Sequence, residues 1–318
     1  MLFPFFKKDP REKVFLRNHN SILDKVIPYF RLVDRMGKAK AVVLWGDTRG
    51  RLKELALQSR KLKKPLIIVQ HGRGAVGEYL PPINCEFLAD KMCVWGTKDR
   101  EKLIDHGIPA SRIVLTGAPI FDGRSNKKVP HDGINVVFAP LHWDKEFEGN
   151  HDIYDALVKI PSINLTTKLL ANAHDITRYG RNIVVTDQWK DNQLDITFEL
   201  MGKTDILVSN EVGTLELIAM YFDIPVILID NFKPMPLLKL SQQTIEEEKK
   251  LHPRPKGVDY TKDLGDLPEL IKLNAAGPYR MGAEREKELN ECTAVGTIKN
   301  PVQNIRDVIL EAINNKTA

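Results

Sequence analysis

The sequence predicts an α/β protein made of two Rossmann-like domains facing a cleft. Three observations point there. The chain has 318 residues, more than one ordinary core. Short apolar runs alternate with helix-like segments along most of it, the signature of open parallel sheets with crossover helices. That alternation stops at a polar, turn-rich stretch, Gly123 to Gly133 (GRSNKKVPHDG), and then starts again.

In chain order, Ser21 to Met36 carries apolar residues at helical spacing, interrupted by Pro28. Ala41 to Trp45 (AVVLW) is a buried-type strand, Arg51 to Lys63 a helix, and Pro65 to Val69 (PLIIV) a second strand ending in Gln70-His71-Gly72. Lys91 to Trp95 is a third strand, Lys98 to His106 a helix stopped by Gly107, and Ile113 to Thr116 a fourth strand followed by Gly117-Ala118-Pro119. Beyond the linker come strands at Asn135 to Ala139, Asn164 to Leu170, Asn182 to Thr186, Asp205 to Val208 and Pro225 to Ile229. Helices are expected near Ile153 to Lys159 and over Thr214 to Phe222. Thr244 to Leu251 reads as an acidic helix, and Asp187 to Asp195 (DQWKDNQLD) as an acidic surface loop. Every strand of the first array ends in a small or polar cluster, and ligands of such sheets bind at the carboxyl ends of the strands.

Composition excludes several classes. With 42% apolar and 28% charged residues the chain is globular rather than disordered. No apolar run reaches the roughly 18–20 residues of a membrane span. The start, MLFPFFKKDP, has its charges after the apolar residues and reads as a short strand rather than a secretory signal. Cys85, Cys93 and Cys292 lack metal-type spacing, which fits a reduced, cytoplasmic protein and gives no zinc site. The net charge of +5 is mild. The lysine-rich stretch Arg51 to Lys64 reads first as the solvated face of a helix. It is also where a phosphate, a membrane surface or a polyanionic acceptor would touch, with nucleic acid disfavoured as a partner.

Candidate chemistry lies in a few clusters. Val208-Ser-Asn-Glu-Val-Gly-Thr-Leu-Glu216 leaves a strand and enters a helix through Ser209, Asn210, Glu211, Gly213 and Thr214. Such a turn can offer N–H groups and hydroxyls to a diphosphate at a helix N-terminus, with Glu216 placed for ribose hydroxyls. The plainer alternative is a capped helix, with Ser209 or Asn210 as cap and Glu216 serving the dipole. His71, at a strand end beside Gly72, Arg73 and Gly74, can take a proton from an acceptor hydroxyl or donate to a phosphate. His142 and Trp143 end the first strand of the second array and should face the same cleft, the tryptophan either stacking on a base or packed in the core. Gly117 to Asp122 makes a turn at the cleft floor, and Asp230 ends a late strand there. His174, Asp175 and His252 are weaker candidates. Phosphate-loop, HExxH, GxSxG, kinase and dinucleotide GxGxxG signatures are absent.

In order, Gln70-His71-Gly72, then Val94-Trp95-Gly96, then Arg112 to Asp122 (RIVLTGAPIFD), NVVFAPLHW, DILVSNEVGTLELIAMYFDIPVILID and NPVQNIRDVILEAI resemble glycosyltransferase-B (GT-B) proteins that build surface polymers. They are most similar to glycerophosphotransferases using CDP-glycerol and to capsule polysaccharide transferases, over roughly Ala41 to Ile313. The resemblance implies a transferase moving a glycosyl or glycerophosphoryl group from a UDP- or CDP-linked donor to a carbohydrate or polyol hydroxyl. His71 would be the catalytic base, and Ser209, Asn210, Gly213 and Thr214 the diphosphate grip, with Glu216 on the ribose. No metal or cofactor is implied beyond the donor substrate. It divides the chain into an acceptor-side domain at 1–128, a donor domain at 129–300 and a helix at 301–318 crossing back to the first. Two departures bear on the donor: Ala173-His174-Asp175 replaces a His-Pro, and Asn210-Glu-Val-Gly-Thr214 replaces an Asp-Tyr-Ser-Ser. A non-hydrolysing UDP-N-acetylglucosamine 2-epimerase is the alternative within the fold, although His71-Gly-Arg-Gly-Ala-Val-Gly77 lacks that family's carboxylate and arginine. A non-catalytic nucleotide-sugar-binding protein is the other.

Overall fold

The computed structural model describes residues 35–46, 50–73, 76, 79, 86–140, 148–170, 176–180, 182–186, 192–210, 213–229, 255–277 and 282–315. The expected N-terminal strand, most of the Ser21–Met36 helix and the acidic helix at Thr244–Leu251 lie outside these residues; 35–38 are helical.

Four strands, β1 (Val42–Leu44), β2 (Leu66–Val69), β3 (Lys91–Val94) and β4 (Ile113–Leu115), form a parallel sheet in sequence order. Helix α1 (Gly50–Lys61) connects β1 to β2, and α2 (Thr97–Asp105) connects β3 to β4. Leu66, Ile67 and Ile68 are fully buried because parallel strands are covered on both faces, which is why they read as continuous apolar runs. On one face Leu55 and Ala56 of α1 and Leu103 of α2 meet Leu66, Ile68, Met92 and Val94. The other face is covered from far along the chain. Helix α8 (Pro301–Asn315) lays Ile305, Val308, Ile309 and Ala312 against Ile67, Val69, Cys93 and Val114. Each fully buried Val or Ile side chain of this kind contributes about 1.5–3 kcal/mol.

The second sheet has six parallel strands: β5 (Ile134–Ala139), β6 (Ile163–Leu170), β7 (Ile183–Thr186), β8 (Ile206–Ser209), β9 (Val226–Ile229) and β10 (Asp259–Thr261). Their spatial order is β10-β9-β8-β5-β6-β7. The chain moves outward from β5 to β7, returns to β8 on the other side of β5, and moves outward again. The strand order therefore reverses between β5 and β8, the kind of switch point at which ligands of such sheets bind. Among the described strands of the first sheet there is no such reversal.

Helices α3 (Glu148–Val158) and α6 (Leu267–Ala275) cover one face of this sheet through Ile153, Leu157, Leu267 and Ile271. Helices α4 (Gln193–Gly202), α5 (Thr214–Tyr221) and α7 (Gly282–Thr293) cover the other. The stretch read as an acidic loop from Asp187 to Asp195 runs into α4 at Gln193, because Phe198 and Met201 one turn on give the segment a buried face.

Helix α7 packs against both α2 and α5 and so joins the two arrays. Its approach to α2 depends on Gly96: a Cβ there would lie 2.1 Å from the Glu291 carbonyl oxygen and 2.3 Å from the Cys292 carbonyl carbon. No larger residue fits without moving the helix. After α7 the chain crosses to the first sheet, where the Ala118 N–H donates to the Thr293 carbonyl at 3.0 Å and the Asn304 amide to the Thr116 carbonyl at 3.2 Å.

Candidate functional site

The carboxyl ends of the two sheets meet at the start of α5. The turn after β2 is set by Gln70, whose side chain is buried. Its carboxamide oxygen accepts the Trp95 backbone N–H at 2.8 Å. Its carboxamide nitrogen donates to the Gly72 carbonyl at 3.0 Å and to Asp99 Oδ2 at 2.7 Å. The Gln70 carbonyl in turn accepts the Trp95 indole N–H at 2.8 Å. All these groups are satisfied, so the turn that carries His71 is held rigidly. Asp99 itself is pushed up from the usual carboxylate range by burial, against the hydrogen bond from Gln70.

His71 is exposed, with Nδ1 3.0 Å from the Trp45 carbonyl oxygen at the end of β1. A carbonyl oxygen only accepts, so in the neutral ring Nδ1 carries the proton and Nε2 keeps its lone pair. The imidazole is thus oriented by backbone and presents a proton-accepting nitrogen.

Two residues further on, the Arg73 backbone N–H donates to Thr214 Oγ1, the first residue of α5, at 3.2 Å. Gly72 comes so close to Thr214 that a Cβ would sit 3.1 Å from the same hydroxyl. The structure therefore brings Gly72, Arg73, Gly213 and Thr214 together. The Arg73 side chain reaches across to α7, donating through Nη2 to Glu288 Oε1 at 2.8 Å. Lys98 Nζ lies 2.8 Å from both oxygens of the same carboxylate. Glu288 is fully buried. Burial alone would raise its pKa, but the Lys98 hydrogen bond and the charges of Arg73 and Lys98 outweigh it and hold the carboxyl below the usual range. One carboxylate of α7 thereby holds two cations of the first array.

On the second sheet, Ser209 of β8 pairs in register with Ala139 of β5, and Phe138 with Thr167 of β6, so Lys168 is the next residue of that row. Ser209, Ala139 and Lys168 form a line across the carboxyl edge, at the switch point. Lys168 is buried, 3.3 Å from Thr186 Oγ1. Burial pulls its pKa down to about 8, with the Glu216 carboxylate opposing the shift. Asn210 is also buried and donates to the Asn150 carboxamide in the first turn of α3 at 2.8 Å. Asn210 thus ties the carboxyl end of β8 to the first turn of α3.

The helix cap differs from the expected one. Gly213, not Ser209 or Asn210, is the N-cap of α5, and Glu216 accepts the Gly213 N–H with its own carboxylate. Glu216 is buried between its helix and Lys168. Gly117 faces Ile298 and Pro301, where the chain crosses to α8. His142, Glu211 and Asp230, with Trp143, His174, Asp175 and His252, lie outside the described residues. Among the described residues no group of three His, Cys, Asp or Glu side chains is placed to hold a metal ion, and no helix is long and apolar enough to cross a membrane. Burial raises Cys93 and Cys292 to about 12, so neither thiol is a nucleophile at neutral pH.

Sequence reasoning missed Gln70, Asp99, Asn150, Lys168 and Glu288 as parts of this site. Lys168 left a signal: a lysine inside NLTTKLL, a strand otherwise apolar at its carboxyl end. Glu288 left none, because its partners are about 190 and 215 positions away.

No protein-family model matches the sequence, and no curated protein is similar to it in sequence. Solved structures are similar in fold. A putative UDP-N-acetylglucosamine 2-epimerase from Listeria monocytogenes superposes with a TM-score of 0.58 at 13% identity, over 90% of this chain and 77% of that one. The UDP-GlcNAc 2-epimerase from Neisseria meningitidis, solved with UDP-GlcNAc, gives 0.53 at 13% identity, over 90% and 80%. HepE from Anabaena, solved with UDP-glucose, gives 0.51 at 14% identity, over 96% and 90%. The chain has the GT-B fold, two Rossmann-like domains facing a cleft.

Proposed function

We propose that the protein is a transferase that moves a glycosyl or glycerophosphoryl group from a nucleoside-diphosphate donor to an acceptor hydroxyl, with His71 as general base. One observation carries this reading. An imidazole held through Nδ1 by a backbone carbonyl stands two residues from the point where the first array touches the N-terminal residue of α5. A proton acceptor and an anion-favouring helix end thus face the same cleft. The fold neighbours crystallised with UDP-glucose or UDP-GlcNAc support a UDP-type donor.

The donor diphosphate occupies the switch-point crevice, where the N–H groups at the start of α5 and the Lys168 ammonium offset its charge. Ser209, Asn210, Gly213 and Thr214 line this end. The acceptor hydroxyl gives its proton to His71 Nε2 as its oxygen bonds to the donor carbon or phosphorus. The bond to the nucleotide phosphate breaks, and the leaving group keeps that electron pair. Glu216, committed to the Gly213 N–H and beside Lys168, orients the lysine; a ribose contact would use its remaining acceptor capacity. On this reading the first array is the acceptor side and the second the donor side.

A thermal-shift screen against UDP, CDP, GDP, ADP and their sugar or glycerol conjugates tests the reading. A ligand at a hundred times its Kd adds about 2.7 kcal/mol, and a response to one nucleotide family is expected. Silence from all of them would overturn the donor site. Conversion of UDP-GlcNAc into UDP-N-acetylmannosamine without an acceptor would instead identify an epimerase.

A further inference from the structure

The end of β1 holds a feature that the proposed base does not explain. Of the two described tryptophans, Trp95 is 1% exposed and has both its backbone and indole N–H bound by Gln70. Trp45 is 54% exposed, although its carbonyl oxygen is the group that orients His71. Large aromatic side chains are seldom left so open, because each carries much of a protein's apolar surface. Val43, two residues earlier and within β1, is 44% exposed and adds apolar surface at the edge strand of the sheet. An acceptor oxygen that loses its proton to His71 must come within about 3 Å of Nε2. Trp45 is the residue whose backbone carbonyl holds the other nitrogen of that ring, at 3.0 Å, so it neighbours the acceptor's entry to His71.

The charges of this edge indicate which acceptor fits. Arg73 of the His71 turn and Lys98 of α2 are both engaged by Glu288. A phosphate-bearing acceptor that took either of them would have to draw it from a buried carboxylate. An uncharged ring needs neither.

We propose that Trp45 forms an acceptor subsite for an uncharged pyranose, its C–H face stacked on the indole while the reacting hydroxyl meets His71. The subsite rests on the reading of His71 as the base, and it narrows the acceptor from carbohydrate or polyol to a sugar ring. A ring with equatorial hydroxyls has an apolar face of axial hydrogens that matches an indole, whereas glycerol phosphate has none.

The test is NMR of protein carrying 15N-indole tryptophan, with the Trp45 resonance identified by its loss in Trp45→Phe. Methyl β-D-glucopyranoside and N-acetylglucosamine are titrated against glycerol 3-phosphate, with and without UDP. The expected result is a saturable shift of the Trp45 indole signal by the pyranosides, at least twofold larger than with glycerol 3-phosphate. Trp45→Ala should weaken pyranoside binding at least tenfold, measured by saturation transfer, with the other indole signals unmoved as proof of folding. Equal shifts with glycerol 3-phosphate, a Trp45 shift caused by UDP alone, or no shift with any sugar would each overturn the subsite. If the nucleotide screen is silent but pyranosides still move Trp45, the subsite stands and the transferase reading falls.

Discussion

The two carboxyl edges of this molecule treat charge in opposite ways. On the first, the cations Arg73 and Lys98 converge on the fully buried Glu288, and the His71 imidazole stands exposed at the neighbouring strand end. On the second, the buried Lys168 has Glu216 as its charged neighbour, and that carboxylate also caps α5. Asn210, one residue past β8, donates to Asn150 in the first turn of α3. The first edge commits its two cations to one buried carboxylate and is rigid. The second sets a single buried lysine in the row of strand ends at the switch point. Sheet topology gives the same division, because only the second sheet, among the described strands, has a point of reversed order.

The largest expected effect falls on the proton acceptor. His71→Ala should lower turnover at least a hundredfold with donor affinity little changed, as expected for loss of a general base. Steady-state rates together with nucleotide binding check this. An unaltered rate would place the base elsewhere and dissolve the contrast between the edges.

Glu288→Gln comes next. It removes the buried charge that holds two partly exposed cations and should cost about 3 kcal/mol, read as a fall in the urea midpoint at constant slope. Arg60→Ala is the internal control. Its pair with Glu86 is 3.4 Å long and exposed on both sides, so removal should cost about 1 kcal/mol or less. Similar losses in the two variants would mean that the buried cluster does not lock the edges together.

Much of this architecture was legible before any coordinates. PLIIV, NVVFA, DILV and PVILI are strands because sheets covered on both faces demand unbroken apolar runs, and the linker announces itself by composition. Strand β10, Asp259–Thr261, is invisible because its three residues, DYT, have no apolar pattern. Helix α7 is hidden for a related reason. Its sequence, GAEREKELNECT, reads as a solvated surface, yet Arg285 and Glu288 are buried. Arg285 pairs with Asp223 and Glu288 with Arg73 and Lys98, so the helix packs through paired charges that hydrophobic periodicity cannot detect. At the site, the clusters at His71 and Thr214 were readable as turn chemistry. Their contact across the cleft belongs to tertiary structure alone.

Lys168 sharpens the comparison through pH. Burial depresses its pKa to about 8 from an ordinary value of 10.5. Between those values the unfolded chain binds the proton and the folded one does not, so this residue's contribution makes stability rise with pH across that window. Below about pH 8 the lysine is charged and its burial cost is fully present. Diphosphate affinity should run the other way, weakening as pH rises through about 8. Lys168→Met should bind UDP roughly tenfold more weakly at pH 7 by calorimetry, a loss of about 1.4 kcal/mol. Its affinity should also no longer fall across pH 8.

The smallest effect bears on whether the edges touch in solution. Thr214→Ala removes the hydroxyl that accepts the Arg73 N–H and should cost about 1 kcal/mol. Gly72→Ala puts a methyl group 3.1 Å from that hydroxyl and should also destabilise, by a comparable amount. If the contact persists in solution, the two changes cannot be additive, because Thr214→Ala removes the atom that the new methyl presses on. The double variant should then be more stable than the sum of the single losses predicts, by at least about 0.5 kcal/mol. Strict additivity would mean that the His71 turn and the start of α5 stand apart when the cleft is empty. The proton acceptor and the anion site would then meet only when a donor draws them together.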